Sequence, residues 1–175
     1  MLARSEAAVG RGHMFDLAPL AADCITDLRA RADDAAVEVR ADLRSAWARG
    51  EPALLERMIA NLIDNGIQHN ERGGYLSIVT TSSGTSALLS VRNGGPAIDP
   101  AEAGSLTEPF RRLDRAFGGF GLGLSIVRSV AEAHGGSVEV VAPPSGGLEV
   151  RVALPLHVPA PDAVAAQPEQ ALTKS

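Results

Sequence analysis

Two asparagines one helical turn apart, Asn61 and Asn65, stand in the run NLIDNGIQH, and Gln68 and His69 continue the same polar edge. Asparagine prefers caps to helix interiors, because its side chain competes for backbone hydrogen bonds. Two of them stacked beside an apolar face need partners, since a half-buried carboxamide left unpaired costs roughly 1–3 kcal/mol. Either the backbone of a neighbouring loop or a bound group can supply them, and the stripe alone leaves the two level. A second candidate is Asn93-Gly94-Gly95-Pro96-Ala97-Ile98, at the end of a strand-like run. Its glycines allow a turn and a close approach to a ligand. Asn93 can accept and donate at one planar edge, as reading an adenine amino group requires, although a plain turn needs the same residues. The third is GGFGLGLSIV, in which Gly119, Gly121 and Gly123 run into a helix. Bare N–H groups at a helix start can hold an anion. The spacing is neither a P-loop nor a dinucleotide fingerprint, and a flexible hinge would use the same glycines.

The elements that must position these residues follow from periodicity. Around the asparagines, EPALLERMIANLIDNGIQHN places Leu55, Met58, Ile59, Leu62, Ile63, Gly66 and Ile67 on one face at helical spacing. Glu51 stands at the N-cap and Pro52 at the first helical position, where its missing N–H is harmless. An earlier helix is predicted from Asp16 as N-cap, with apolar residues at 17, 20, 21, 24, 25 and 28. Residues 37–43 alternate as a strand, and RSAWARG links them to the asparagine helix, with Trp47 as a packing anchor. NERGG (70–74) is turn chemistry, and residues 75–82 and 86–93 form a hairpin. Residues 94–121 are an irregular loop with an apolar plug of Leu106, Pro109, Phe110 and Leu113. A helix follows from about Leu122 to His134, stopped by Gly135-Gly136. Residues 137–142 and 147–155 form a second hairpin around PPSGG, and the Ala/Pro/Gln tail has no pattern. The predicted fold is α+β: a mixed, mostly antiparallel sheet of about five strands, covered on one face by three helices.

Composition narrows the function. With 175 residues the chain suits one domain, and with 45% hydrophobic but only 3% aromatic residues its core is aliphatic. A net charge of −5 leaves no basic footprint for nucleic acid. The single Cys24 excludes an internal disulfide and a multi-cysteine metal site, and reads as a small core residue in a helix. No apolar run reaches the roughly 18 residues of a membrane span, and MLARSEAAVGRGHM has no signal-peptide stretch. The expectation is a soluble, cytoplasmic segment in a reducing compartment, without direct membrane contact.

Taken in order, the Asn-x3-Asn helix, the N-x-G-P turn, EPFRRL (108–113) and GxGLGLSIV resemble the ATP-binding catalytic domain of sensor histidine kinases. That family belongs to the Bergerat-type ATPases, with DNA gyrase, the heat-shock chaperone ATPases and the mismatch-repair ATPases. The resemblance covers roughly residues 16–155. It implies a two-layer α/β sandwich holding Mg-ATP between helices under a lid, here residues 106–121. Carried over by position, Asn61 and Asn65 are the catalytic pair, ligating Mg²⁺ and contacting phosphates, and His69 lies near sugar and phosphates. Asn93 would bond the adenine amino group, with Gly95 and Ile98 close to the base. Phe110 would anchor the lid, and Gly119, Gly121, Leu122, Gly123 and Leu124 would face the phosphates.

The departures from the family pattern carry meaning. Asn93 stands where Asp is usual, keeping the acceptor without the charge, and Ala97 replaces a glycine. Gln68 stands where Lys or Arg often neutralises phosphate, and Phe120 stands where Thr or Ser is common. Asn61 replaces the Glu by which hydrolysing relatives and serine kinases activate a nucleophile, and a carboxamide is no base. Histidine needs no such base, being itself a nucleophile. None of His13, His69, His134 and His157 sits in an acceptor-helix motif. The resemblance thus implies a histidine protein kinase domain that presents the γ-phosphate of Mg-ATP to a histidine on a dimerisation domain, in the same full-length chain or in trans. A response regulator would lie downstream. Residues 1–15 would be a linker or the end of a dimerisation helix, 16–157 the catalytic domain and 158–175 a disordered tail. Such a chain would be the cytoplasmic part of a membrane-bound sensor, largely monomeric and unable to phosphorylate itself. A nucleotide-binding regulatory module without turnover is the main alternative, and a hydrolysing ATPase a weaker one.

Overall fold

The computed structural model describes residues 12–99 and 120–158. In chain order these hold β1 (His13–Asp16), α1 (Leu17–Asp34), β2 (Glu38–Leu43), β3 (Trp47–Gly50), α2 (Pro52–Gln68), β4 (Tyr75–Ser83), β5 (Ser86–Asn93), α3 (Phe120–Ala133), β6 (Ser137–Val141) and β7 (Leu148–Pro155). The main sheet has five strands in the order β2-β4-β5-β7-β6. The β2–β4 pair is parallel and the other three are antiparallel, so the fold is the predicted α+β sandwich with a mixed sheet.

Strand periodicity makes the core. Along β5, Ala87, Leu89, Val91 and Asn93 are buried while their neighbours are only half so. Leu76 and Ile78 of β4, and Leu148, Val150, Val152 and Leu154 of β7, join them in one cluster with the helices. The asparagine helix α2 buries Leu55, Met58, Ile59, Leu62, Ile63, Gly66 and Ile67, the face its spacing predicts. Each large aliphatic buried there is worth about 1.5–3 kcal/mol, so this stripe fixes the rotation of α2 and sets Asn61 and Asn65 at its edge. Asp16 caps α1, its Oδ1 accepting from the Ala18 N–H at 3.1 Å and from the Ala46 N–H at 2.8 Å.

Two expectations are corrected. His13–Phe15, expected at the end of a linker, with the cap residue Asp16, and Trp47–Gly50, expected within a connection, form an antiparallel ribbon, with His13 opposite Gly50 and Asp16 opposite Trp47. Neither tetrapeptide alternates over enough residues to declare itself, and each is a strand only because the other is present. The glycine-run helix begins at Phe120, two residues before Leu122, so Gly121 and Gly123 lie inside its first turn. Phe110, Gly119 and the expected lid segment up to residue 119 lie outside the described residues.

Candidate functional site

The site forms where α2, α3 and the end of β5 meet. Gly123 sits against the Asn65 carboxamide so closely that a Cβ on it would lie 2.3 Å from Nδ2 and 2.8 Å from Oδ1. Only glycine permits that approach. Asn65 Nδ2 is buried and has no hydrogen-bond partner among the described residues. A buried orphan donor costs about 1–3 kcal/mol, so the fold keeps it at the expense of its own stability. Asn61, one turn back, is half-buried.

The rest of this polar edge is engaged. Asp64 pairs with Arg31 of α1, and its other carboxylate oxygen accepts from Gln68 Nε2 at 3.1 Å. Gln68 therefore lies back along its own helix and brings no charge. His69 closes α2, its N–H donating to the Asn65 carbonyl at 3.0 Å. Burial holds its imidazole below the ordinary value of 6.5, against a weaker upward pull from Asp64. The ring is therefore neutral at neutral pH.

At the end of β5, Asn93 is 8% exposed. Its Nδ2 donates to the Gly94 carbonyl at 2.8 Å and to the His69 carbonyl at 3.3 Å. Because both partners are acceptors, the carboxamide's orientation is set by the hydrogen-bond network. Oδ1 is thereby left as the free acceptor among the described residues. Gly95 adopts φ +149° with its Cα side toward the His69 carbonyl, and Ile98 packs half-buried against the core.

A small cavity of about 10 Å³, room for one water, joins the two ends and is lined by Leu62, Asn65, Gly66, Asn93, Leu124 and Val150, among others. The fold thus brings Asn65, Asn93, Gly123 and Leu124 to one place, with His69 and Gly95 at its rim. Gly121 and Leu122 lie on the same turn of α3 as Gly123. Phe110 and Gly119, outside the described residues, cannot be added to this group.

Sequence reading missed the turn that braces the Asn93 segment. In PPSGG, Gly147 N–H donates to the Pro96 carbonyl at 3.0 Å. A Cβ on Gly147 would lie 1.9 Å from the Asn93 carbonyl oxygen, and its φ is +77°. Two consecutive glycines after Pro-Pro-Ser were the available signal, but a hairpin turn explains them equally well.

No group of three or more His, Cys, Asp or Glu able to hold a metal occurs among the described residues. A cation here would therefore rest on carboxamide oxygens and on oxygens of the ligand itself, which suits Mg²⁺, a cation that keeps several waters and shares phosphate oxygens. No described helix is long and apolar enough to cross a membrane.

Comparison with known proteins identifies the family and the fold. Residues 50–158 match the family described as histidine kinase-, DNA gyrase B-, and HSP90-like ATPase. The chain is 40% identical over 161 residues to the sensor protein CutS of Streptomyces coelicolor, covering 89% of this chain and 39% of that protein. To the sensor-like histidine kinase SenX3 of Mycobacterium tuberculosis it is 35% identical over 150 residues, covering 83% of this chain and 37% of that one. It therefore spans about two fifths of the length of these relatives. Among solved structures, the mycobacterial sensor histidine kinase MprB superposes with a TM-score of 0.73 at 26% identity, covering 83% of this chain and 97% of that one. The catalytic domain of the histidine kinase ThkA shares the fold, with a TM-score of 0.72 at 22% identity, covering 83% of this chain and 95% of that one. With the asparagine helix, the Asn93 turn and the glycine run meeting at one cavity, the chain belongs to the histidine kinase-, DNA gyrase B- and HSP90-like ATPase family, as an ATP-binding catalytic domain of the sensor histidine kinase type.

Proposed function

We propose that this chain holds Mg-ATP between α2 and α3 and presents its γ-phosphate to a histidine carried by a separate dimerisation domain. The observation that carries the reading is the buried, unpartnered Asn65 Nδ2 against Gly123: a donor the fold leaves unpaired where a phosphate oxygen would satisfy it. The base lies at the other end, its exocyclic amino group donating to Asn93 Oδ1, with Gly95 and Ile98 beside it. The oxygens of Asn61 and Asn65 hold Mg²⁺, which when bound supplies neutralisation of phosphate charge. Gly121 and Gly123 offer backbone to the phosphates, with Leu122 and Leu124 from the same run.

Catalysis on this reading is positioning. Phosphoryl transfer asks little covalent chemistry of the protein, and an oriented nucleophile gains most from being held in line. Asn61 is a carboxamide and abstracts no proton, so the acceptor must be nucleophilic by itself, as imidazole is. The dimerisation domain and a response regulator are the partners this implies, with the chain on the cytoplasmic side of a membrane-anchored sensor.

The test supplies a histidine-bearing dimerisation domain in trans with labelled ATP and Mg²⁺. Phosphohistidine on that domain is expected, with none on this chain alone. Nucleotide binding without phosphohistidine would instead make the chain a regulatory module. Steady phosphate release by the isolated chain would make it a hydrolase.

A further inference from the structure

We propose that His134 is a positioning residue for the nucleotide site, pinning the far end of the glycine helix α3 to the start of the asparagine helix α2. The inference rests on the nucleotide reading above, since it concerns what keeps that site in register.

His134 follows α3 directly and is only 5% exposed. Its Nδ1 lies 2.7 Å from the Val130 carbonyl, and its Nε2 lies 3.2 Å from the Glu51 N–H. A carbonyl can only accept and an amide N–H can only donate. Nδ1 therefore carries the proton and Nε2 the lone pair, in a neutral ring. The contact is built for: a Cβ on Gly50 would lie 2.1 Å from His134 Cδ2 and 2.4 Å from Nε2, so the ring occupies space that only glycine leaves open.

Glu51 is the N-cap of α2, and its own side chain makes no capping bond. In a capping box the residue at the third helical position reaches back to the N-cap N–H. Here that residue is Leu54, which cannot, and the imidazole of a distant helix takes its place. Local capping would have stabilised α2 alone. Using His134 instead joins α2 to α3 at the end opposite Gly123 and Asn65. The two contacts bracket the helix pair, separated by about 17 Å of α3 at 1.5 Å per residue. Held at both ends, α3 neither slides nor pivots on α2. Released at His134, it is free to carry Gly123 off Asn65, and losing a hydrogen bond to a charged group there costs about 10-fold or more in affinity.

The experiment measures affinity for a non-hydrolysable ATP analogue with Mg²⁺, alongside thermal unfolding, on the whole chain. His134→Leu should weaken binding by about 10-fold or more while leaving the chain folded. His134→Gln, whose amide can donate to Val130 and accept from Glu51, should stay within about 3-fold of wild type. In the His134→Leu background, Leu54→Gln lets a local side chain reach back to the Glu51 N–H; stability should recover and affinity should not. Nitrogen-15 spectra of the wild type should show His134 protonated at Nδ1 only. Failure of the wild type to bind any adenine nucleotide would remove the nucleotide reading and the pin with it. Wild-type binding with His134→Leu equally tight, affinity restored by Leu54→Gln, or a proton on Nε2 would each overturn the pin alone.

Discussion

The two ends of the cavity are built differently. At the β5 end the donors of the Asn93 carboxamide are both engaged, its turn is braced by the Gly147 N–H, and Oδ1 is held in a fixed orientation. At the α3 end Asn65 Nδ2 is buried with nothing to bond among the described residues. The first region is finished by the fold and the second is left unfinished by it. Substitutions should therefore separate the two. At the finished end they should cost stability, and at the unfinished end they should cost binding while leaving or improving stability, the usual sign of a functional site.

The largest expected effect lies at the unfinished end. Asn65→Ala deletes the orphan donor together with its desolvation penalty of about 1–3 kcal/mol. The unfolding midpoint of the free chain should stay level or rise. Affinity for ATP with Mg²⁺ should fall by about 10–100-fold, the range for losing a hydrogen bond to a charged group. Gly123→Ala should act in the same direction, since its Cβ would meet the Asn65 carboxamide at 2.3 Å and displace it. Calorimetric titration beside thermal unfolding checks both. Unchanged affinity in Asn65→Ala would erase the distinction between the ends.

At the finished end, Asn93→Asp is the sharper probe, because it keeps the side chain's size while exchanging its donor for a charged acceptor. Here the side-chain nitrogen donates to two carbonyls, and a carboxylate would turn an anionic oxygen toward both. The variant should lose about 1–3 kcal/mol of stability, and its nucleotide affinity should fall rather than rise. Denaturant unfolding with an unchanged slope would report the loss cleanly. Greater stability or tighter binding in Asn93→Asp would mean the turn is less committed than its hydrogen bonds indicate.

The same contrast explains what could be read from the residues alone. Local patterns were legible: the apolar face of α2 matches its buried positions one for one, and Asp16 caps the helix it precedes. Residues whose role lies in a distant contact were not. The β1–β3 ribbon exists through pairing across the whole of α1 and β2. Gly147 matters because it touches the Asn93 backbone, and His134 because its ring reaches Glu51. Periodicity reports which side of an element faces the core. It carries no address for the atom across the gap, so the motifs that meet at the cavity were legible and the contacts bracing them were not.

His69 joins the two ends, its carbonyl accepting from Asn93 and its N–H closing α2 onto the Asn65 carbonyl, and it offers the smallest and most specific effect. Burial depresses its pKa below 6.5, so the unfolded chain takes up a proton before the folded one does. The stability contributed by its neutral form is fully present above 6.5 and is lost as pH falls through the depressed folded value. Glu38 and Glu149, held below their ordinary 4.5 by Arg40 and Arg151 respectively, titrate lower still. Between about pH 7.5 and pH 5.5 the difference between wild type and His69→Gln therefore isolates this histidine. The wild-type unfolding midpoint should drop more steeply than the variant's across that window, and the two curves should run parallel above it. Since protonation draws the ring away from its buried setting while Asn93 keeps its second carbonyl partner on Gly94, nucleotide affinity should change less than stability does. Parallel curves throughout would place the imidazole in water and remove it as the link between the finished and unfinished halves.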